Sequence, residues 1–216
     1  DVTAFSGIQT SQLFTHGAYI ADYDNDGWPD ILLTGYGSPQ LLHNRGDGTF
    51  EDLATESGLS DSRWNIGAAW GDFNGDGHLD LYLNHYVNWS FKNHQICKGF
   101  GGARDICSPG DFDALDDSLF LNNGNGTFQT ATKLSGLETG GKGLGVIAGD
   151  FDLDGDVDLY VANDTSPNFF YQNKGKGHFT EIGISSGAAL GPNSGADGSM
   201  RLEMSVFTQD GRPAPR

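Results

Sequence analysis

The 216-residue chain carries a formal charge of −17, with 29 acidic side chains against 12 basic ones. That length suits one good core or part of a longer repeat array, and the charge leaves no basic stripe to meet nucleic-acid phosphates or an anionic membrane. No run approaches the roughly 18 apolar residues of a spanning helix, so no membrane insertion is expected. The sequence opens at Asp1 with neither Met nor a hydrophobic leader, so a signal peptide is expected to have been removed or left out.

Taken in chain order, the same words recur. The opening "DVTAFSGI" matches "DLATESGL" at 52–59, so the chain is expected to begin partway through a unit. Gly-rich apolar stretches "HGAYIA", "IGAAWG" and "LGVIAG" each lead into an acidic loop, at 22–30, 72–80 and 150–158. Apolar β-rich runs follow, "ILLTG", "LYLNH" and "LYVAN". Second turns come next: "NRGDGTF" from Asn44, "NNGNGTF" from Asn122 and "NKGKGHF" from Asn173. A Ser-Gly pair closes each unit, at Ser57-Gly58, Ser135-Gly136 and Ser186-Gly187. Near the end a degenerate fourth loop spans 206–214, with Val206 and Ala214 where the outer aspartates would stand and only Asp210 and Gly211 kept. It is not expected to hold a metal well, and the pattern ends as a truncated or altered array would.

The segments are short, rich in Tyr, Val, Leu, Ile and Phe, and separated by Gly, Asn and Asp. Thirty-three glycines suit turns that need positive φ far better than helices. Four short strands per unit are predicted, with the acidic loop and the second turn as the two hairpin connections. Recurrent four-stranded units of about 50 residues predict an all-β fold, a partial β-propeller of repeated blades across a single domain, 1–216.

Each acidic loop follows D-x-[DN]-x-D-G-x-x-D. Carboxylate or amide oxygens come from Asp22, Asp24, Asp26 and Asp30, from Asp72, Asn74, Asp76 and Asp80, and from Asp150, Asp152, Asp154 and Asp158. The carbonyls of Trp28, His78 and Asp156 are available at position 7. Such hard oxygens suit calcium, which takes six to eight of them in irregular geometry, better than magnesium. About three calcium ions are therefore expected, bringing the charge to about −11. An EF-hand needs a bidentate Glu at position 12, but Leu33, Leu83 and Val161 stand there. With two cysteines, Cys97 and Cys107, and no His at ligand spacing, no zinc site is expected. The cysteines read as a disulfide in a secreted protein or two thiols in a cytosolic one, and the disulfide is the expectation.

These loops resemble the FG-GAP/VCBS repeats, whose calcium-bearing hairpins also occur in integrin α-subunit propellers. "GDFNGDGHLDLYLNHYVNW", a Cys-bearing insertion and "LFLNNGNGTF" are similar to the cartilage acidic protein-like branch. The resemblance covers nearly all of the chain to about Met200. It implies a β-propeller, secreted or periplasmic placement and calcium on the positions just named, and it supplies no ligand.

The middle unit is the irregular one. From the last loop Asp to the second-turn Asn is 14 residues in unit one and 15 in unit three, but 42 between Asp80 and Asn122. The added segment, about 85–116, carries Trp89, Phe91, Phe100 and Arg104, residue types favoured at binding hot spots, on the kind of long loop where binding sits. The same aromatics could instead cap a blade edge. A calcium-stabilised binding or adhesion module for a protein or glycan is the leading reading, and a non-catalytic domain of a larger secreted enzyme is the alternative. Self-association through open blade edges is also expected. An enzyme is not expected, since no oriented Cys-His pair occurs. His43, His85, His94 and His178 stand singly in turn or loop contexts, so surface positions are expected for them.

Overall fold

A computed structural model describes residues 1–8, 14–191, 195–196, 198–199, 202, 204–206 and 213–215. In chain order the strands are β1 (Phe14–Ala21), β2 (Asp30–Tyr36), β3 (Gln40–Asn44), β4 (Phe50–Asp52), β5 (Asn65–Gly71) and β6 (Asp80–His85). After them come β7 (Cys97–Lys98), β8 (Arg104–Asp105), β9 (Ser118–Asn122), β10 (Phe128–Thr130), β11 (Gly143–Gly149) and β12 (Asp158–Asn163). The last are β13 (Phe169–Asn173), β14 (Phe179–Glu181), β15 (Met204–Val206) and β16 (Pro213–Pro215). Three four-stranded antiparallel sheets result, ordered β1-β2-β3-β4, β5-β6-β9-β10 and β11-β12-β13-β14. Each sheet is one predicted unit: the acidic loop joins its first two strands and the second turn joins its last two.

The register repeats with the sequence. Ala21 pairs with Asp30, Gly71 with Asp80 and Gly149 with Asp158, so the ninth loop residue opens the second strand each time. In the fourth unit Ser205 pairs with Ala214 in the equivalent register. Val206 and Ala214 lie on these two strands, whereas Asp210 and Gly211 fall outside the described residues.

The cores form at the seams between units. Alternate residues of a strand point to opposite faces, and β6 is buried on both of them. Leu81 and Leu83 join Tyr23, Leu32 and Leu41 in one cluster, while Tyr82 joins Leu159, Val161 and Tyr171 in another. The aromatic at loop position 2 packs on the Phe that closes the next unit's second turn: Tyr23 on Phe128 at 5.7 Å and Phe73 on Phe179 at 5.8 Å between ring centroids. Each such pair contributes about 0.5–1.5 kcal/mol beyond its buried area.

The Ser-Gly pairs act across the same seams. Phe50, Phe128 and Phe179 each donate their N–H to the carbonyl of Ser6, Ser57 and Ser135, at 2.7 Å in all three cases. The glycine that follows has φ between +73° and +83°, and a Cβ on Gly7 or Gly58 would stand 2.9 Å from a Phe carbonyl oxygen. Gly is therefore required twice over, by conformation and by space.

Candidate metal sites

The loops are built by backbone N–H groups turned inward onto carboxylates. In loop one the N–H groups of Asp26 and Gly27 donate to the two Asp22 oxygens at 3.0 and 2.9 Å, and Trp28 N–H donates to Asp26 Oδ1 at 2.8 Å. Loop two repeats this with Asp76 and Gly77 on Asp72, at 3.0 and 2.9 Å, and His78 on Asp76. Loop three does so with Asp154 and Gly155 on Asp150, at 3.1 and 3.0 Å, and Asp156 on Asp154. Gly27, with φ +91° and open space around it, makes the bend.

The position-9 aspartates are staples. Asp30, Asp80 and Asp158 are buried to within 1 % of complete. Each accepts one N–H from loop position 2, namely Tyr23, Phe73 or Phe151, and one from the second-turn Asn44, Asn122 or Asn173. Burial pushes all three carboxyls up from the usual range, Asp80 to about 6, although those N–H groups oppose it. The second-turn Asn then locks neighbouring units together: Asn122 donates to Tyr23 O at 2.8 Å and Asn173 to Phe73 O at 2.9 Å.

The donor chemistry suits a hard divalent cation. Asp22, Asp24 and Asp26 bring carboxylate oxygens within 4.8 Å of one another, as do Asp150, Asp152 and Asp158. In loop two the Asn74 amide donates to Asp76 Oδ2 at 2.9 Å, so the position-3 residue satisfies one oxygen of the set by a hydrogen bond. The side chains of Trp28, His78 and Asp156 lie toward the second-turn glycines Gly46, Gly124 and Gly175, where they would meet an added Cβ.

Two of the four histidines expected at the surface are not there. His94 and His178 are exposed, but His85 is fully buried and bonded through Nε2 to Asp61 Oδ2 and Asn65 Oδ1, at 3.1 and 3.0 Å. Opposite it, buried Asp117 accepts from Tyr82 Oη and His85 N–H. His43 sits on β3 beside loop one, with Nδ1 3.3 Å from both Asp24 Oδ2 and Asp30 Oδ1. Spacing along the chain hid this contact. Lining up the three units sets His43, Leu121 and Gln172 alike one residue before the second-turn Asn, but three unlike residue types there give no shared signal.

The insertion carries the disulfide, Cys97 to Cys107, beside the β7–β8 ladder. Trp89 and Phe91 meet Tyr36 of the first unit, with ring centroids 5.3 and 5.9 Å away, and Trp89 also meets Trp64. Beside this cluster lies a cavity of about 420 Å³ lined by Trp64, Tyr86, Trp89, Ile106 and Phe112 among others. Phe100 and Arg104 stand exposed on the β7–β8 hairpin, apart from the cavity wall.

Comparison with known proteins agrees with the repeat. The family model for the FG-GAP-like repeat matches residues 22–83, 102–161 and 150–213. The chain belongs to the FG-GAP-like repeat family. It is similar to cartilage acidic protein 1 of Homo sapiens, 29% identical over 202 residues that cover 76% of this chain and 29% of that protein. Cartilage acidic protein 1 of Xenopus tropicalis is 26% identical over 231 residues, covering 80% of this chain and 35% of that one. The FG-GAP-like chain thus spans about a third of the length of these relatives. Among solved structures, the exotype rhamnogalacturonan lyase YesX aligns over 92% of this chain and 37% of its own, at 16% identity and a TM-score of 0.46. Among the described residues no helix is long and apolar enough to cross a membrane.

Proposed function

We propose that this FG-GAP-like chain is a calcium-stabilised, non-enzymatic extracellular repeat domain of propeller type, which binds a protein or glycan partner through the insertion after β6. The observation that carries the metal reading is the one hydrogen-bonding plan repeated in three loops. In each, backbone N–H groups fix carboxylates at positions 1 and 5 while a buried carboxylate at position 9 joins both hairpins of the unit. Bound calcium supplies the positive charge that offsets the repulsion among three or four carboxylates. The chain's own part is to hold Asp22, Asp24, Asp26 and Asp30, and their counterparts, around that charge, with the Trp28, His78 and Asp156 carbonyls as further oxygens.

The disulfide supports an oxidising compartment. Exposed Phe100 and Arg104, raised on a hairpin tied by that disulfide, support a partner surface on a rigid scaffold. The test is melting after chelation. Calcium should restore the melting temperature better than magnesium, and Asp76→Ala and Asp154→Ala should each remove about one equivalent of bound metal. A melting temperature indifferent to chelator would sink the reading.

A further inference from the structure

Loop one differs from its two copies in the side chain that β3 lays across it. At that strand position unit two has Leu121, which offers no donor atom. Unit three has Gln172, whose amide donates to Asp152 and so occupies a carboxylate oxygen rather than adding a ligand. Unit one has His43, which brings an imidazole nitrogen into the carboxylate set.

The placement is specific. His43 Nδ1 lies 3.3 Å from Asp24 Oδ2 and 3.3 Å from Asp30 Oδ1, and Nε2 lies 4.0 Å from Asp26 Oδ2. The side chain is one-fifth exposed, but Nδ1 itself is sealed from solvent and has no hydrogen-bond partner among the described residues. The ring is held edge-on against Tyr23, centroids 6.4 Å apart and planes at 84°, so it keeps this orientation. Asp24 gives its other oxygen to Asp26 N–H, and Asp30 is fixed by Asn44 N–H at 2.7 Å. Both acids therefore present a positioned oxygen toward the same nitrogen. A buried polar nitrogen without a partner is costly, and a shared cation is the partner that would satisfy it together with two anionic oxygens.

We propose that Asp24, Asp30 and His43 form a mixed nitrogen–oxygen site that selects a first-row transition-metal cation of the zinc class over calcium, whereas loops two and three take calcium. The proposal rests on the reading that the acidic loops bind divalent cations. Imidazole suits zinc-class ions and calcium takes oxygen ligands. Donors sharing a tetrahedral ion at about 2.0–2.1 Å lie about 3.3–3.4 Å apart, the size of both spacings found here.

The probe is Co²⁺, added to the chelator-stripped chain in excess calcium and followed by visible absorption and by paramagnetic shifts in the imidazole proton spectrum. One equivalent of Co²⁺ should bind, shift the His43 resonances and be displaced by Zn²⁺. His43→Gln, the residue unit three uses, should weaken that uptake at least about tenfold while the calcium taken up by loops two and three stays as in the parent. The paramagnetic shift is read on the unmutated chain and does not depend on the variant folding. Calcium uptake at loops two and three with unshifted His43 resonances, or Co²⁺ uptake unchanged by His43→Gln, would overturn this proposal alone. Failure of every loop to take up any divalent ion would overturn it together with the metal reading beneath it.

Discussion

The buried charges around His85 make demands that the loop carboxylates do not. Asp61 is buried, which by itself raises a carboxyl, but hydrogen bonds from His85 and Arg63 and the positive charges of both hold it well below the usual carboxylate range. A folded-state value below the unfolded one means that the stabilisation is fully present above about pH 4 and is lost as pH falls further. Asp61→Ala takes the carboxylate away from buried His85 Nε2, which keeps only Asn65, and from part-buried Arg63, a loss of about 1–3 kcal/mol. Denaturant melts from pH 7 down to pH 3 should show that loss at neutral pH and a shallower acid limb in the variant. The loop aspartates were legible residue by residue, because a turn of alternating Asp and Gly needs no distant partner to be recognised. His43 and His85 were not. A lone histidine says nothing of its burial, and the acids beside these two lie 13 residues away for Asp30 and 32 for Asp117.

At the level of elements, the repeat made the hairpins legible, since each loop and each second turn is a local signal stated three times. What the pattern did not reveal is why Ser-Gly recurs, because its partner lies in the next unit. Two glycines separate the causes. Gly48 has φ +87° with nothing within 4 Å of an added Cβ, whereas Gly58 has φ +83° and the Phe128 carbonyl oxygen at 2.9 Å. Gly48→Ala should cost only the left-handed penalty, about 1–2 kcal/mol. Gly58→Ala should cost distinctly more, because Phe128 must move and weaken its N–H bond to Ser57. Equal losses in chemical denaturation would show that the seam contact contributes nothing. The insertion divides in a similar way. Trp89 is wedged among Tyr36, Trp64 and Phe91 and donates to His94 Nδ1 at 3.0 Å. Trp89→Ala should therefore destabilise the fold by a few kcal/mol, the cost of truncating a packed aromatic, and lower the melting temperature accordingly. Exposed Arg104→Ala should leave stability within about 0.5 kcal/mol and reduce capture of the partner. A large melting shift for Arg104→Ala would make the hairpin structural instead.

Across the whole molecule, concentrated negative charge is the dominant feature. Three sheets meet at two apolar seams, and at one edge of each sheet an acidic loop concentrates carboxylates that repel one another at neutral pH. A ligand that binds only the folded chain stabilises it by RT ln(1 + [L]/Kd), about 2.7 kcal/mol per site at a hundredfold excess over Kd. Three such sites would rival the roughly 5–15 kcal/mol of an ordinary domain. The all-β architecture was readable in advance, because one pattern written three times averages out local ambiguity. The packing of the insertion against Tyr36 and Trp64 was not, since it joins segments that share no repeat. The most direct test is calorimetric titration of the chelator-stripped chain with calcium alone. At least two equivalents should bind, those of loops two and three, with a melting temperature that climbs as they do. Fewer than two equivalents, or bound calcium that leaves melting unchanged, would contradict the account.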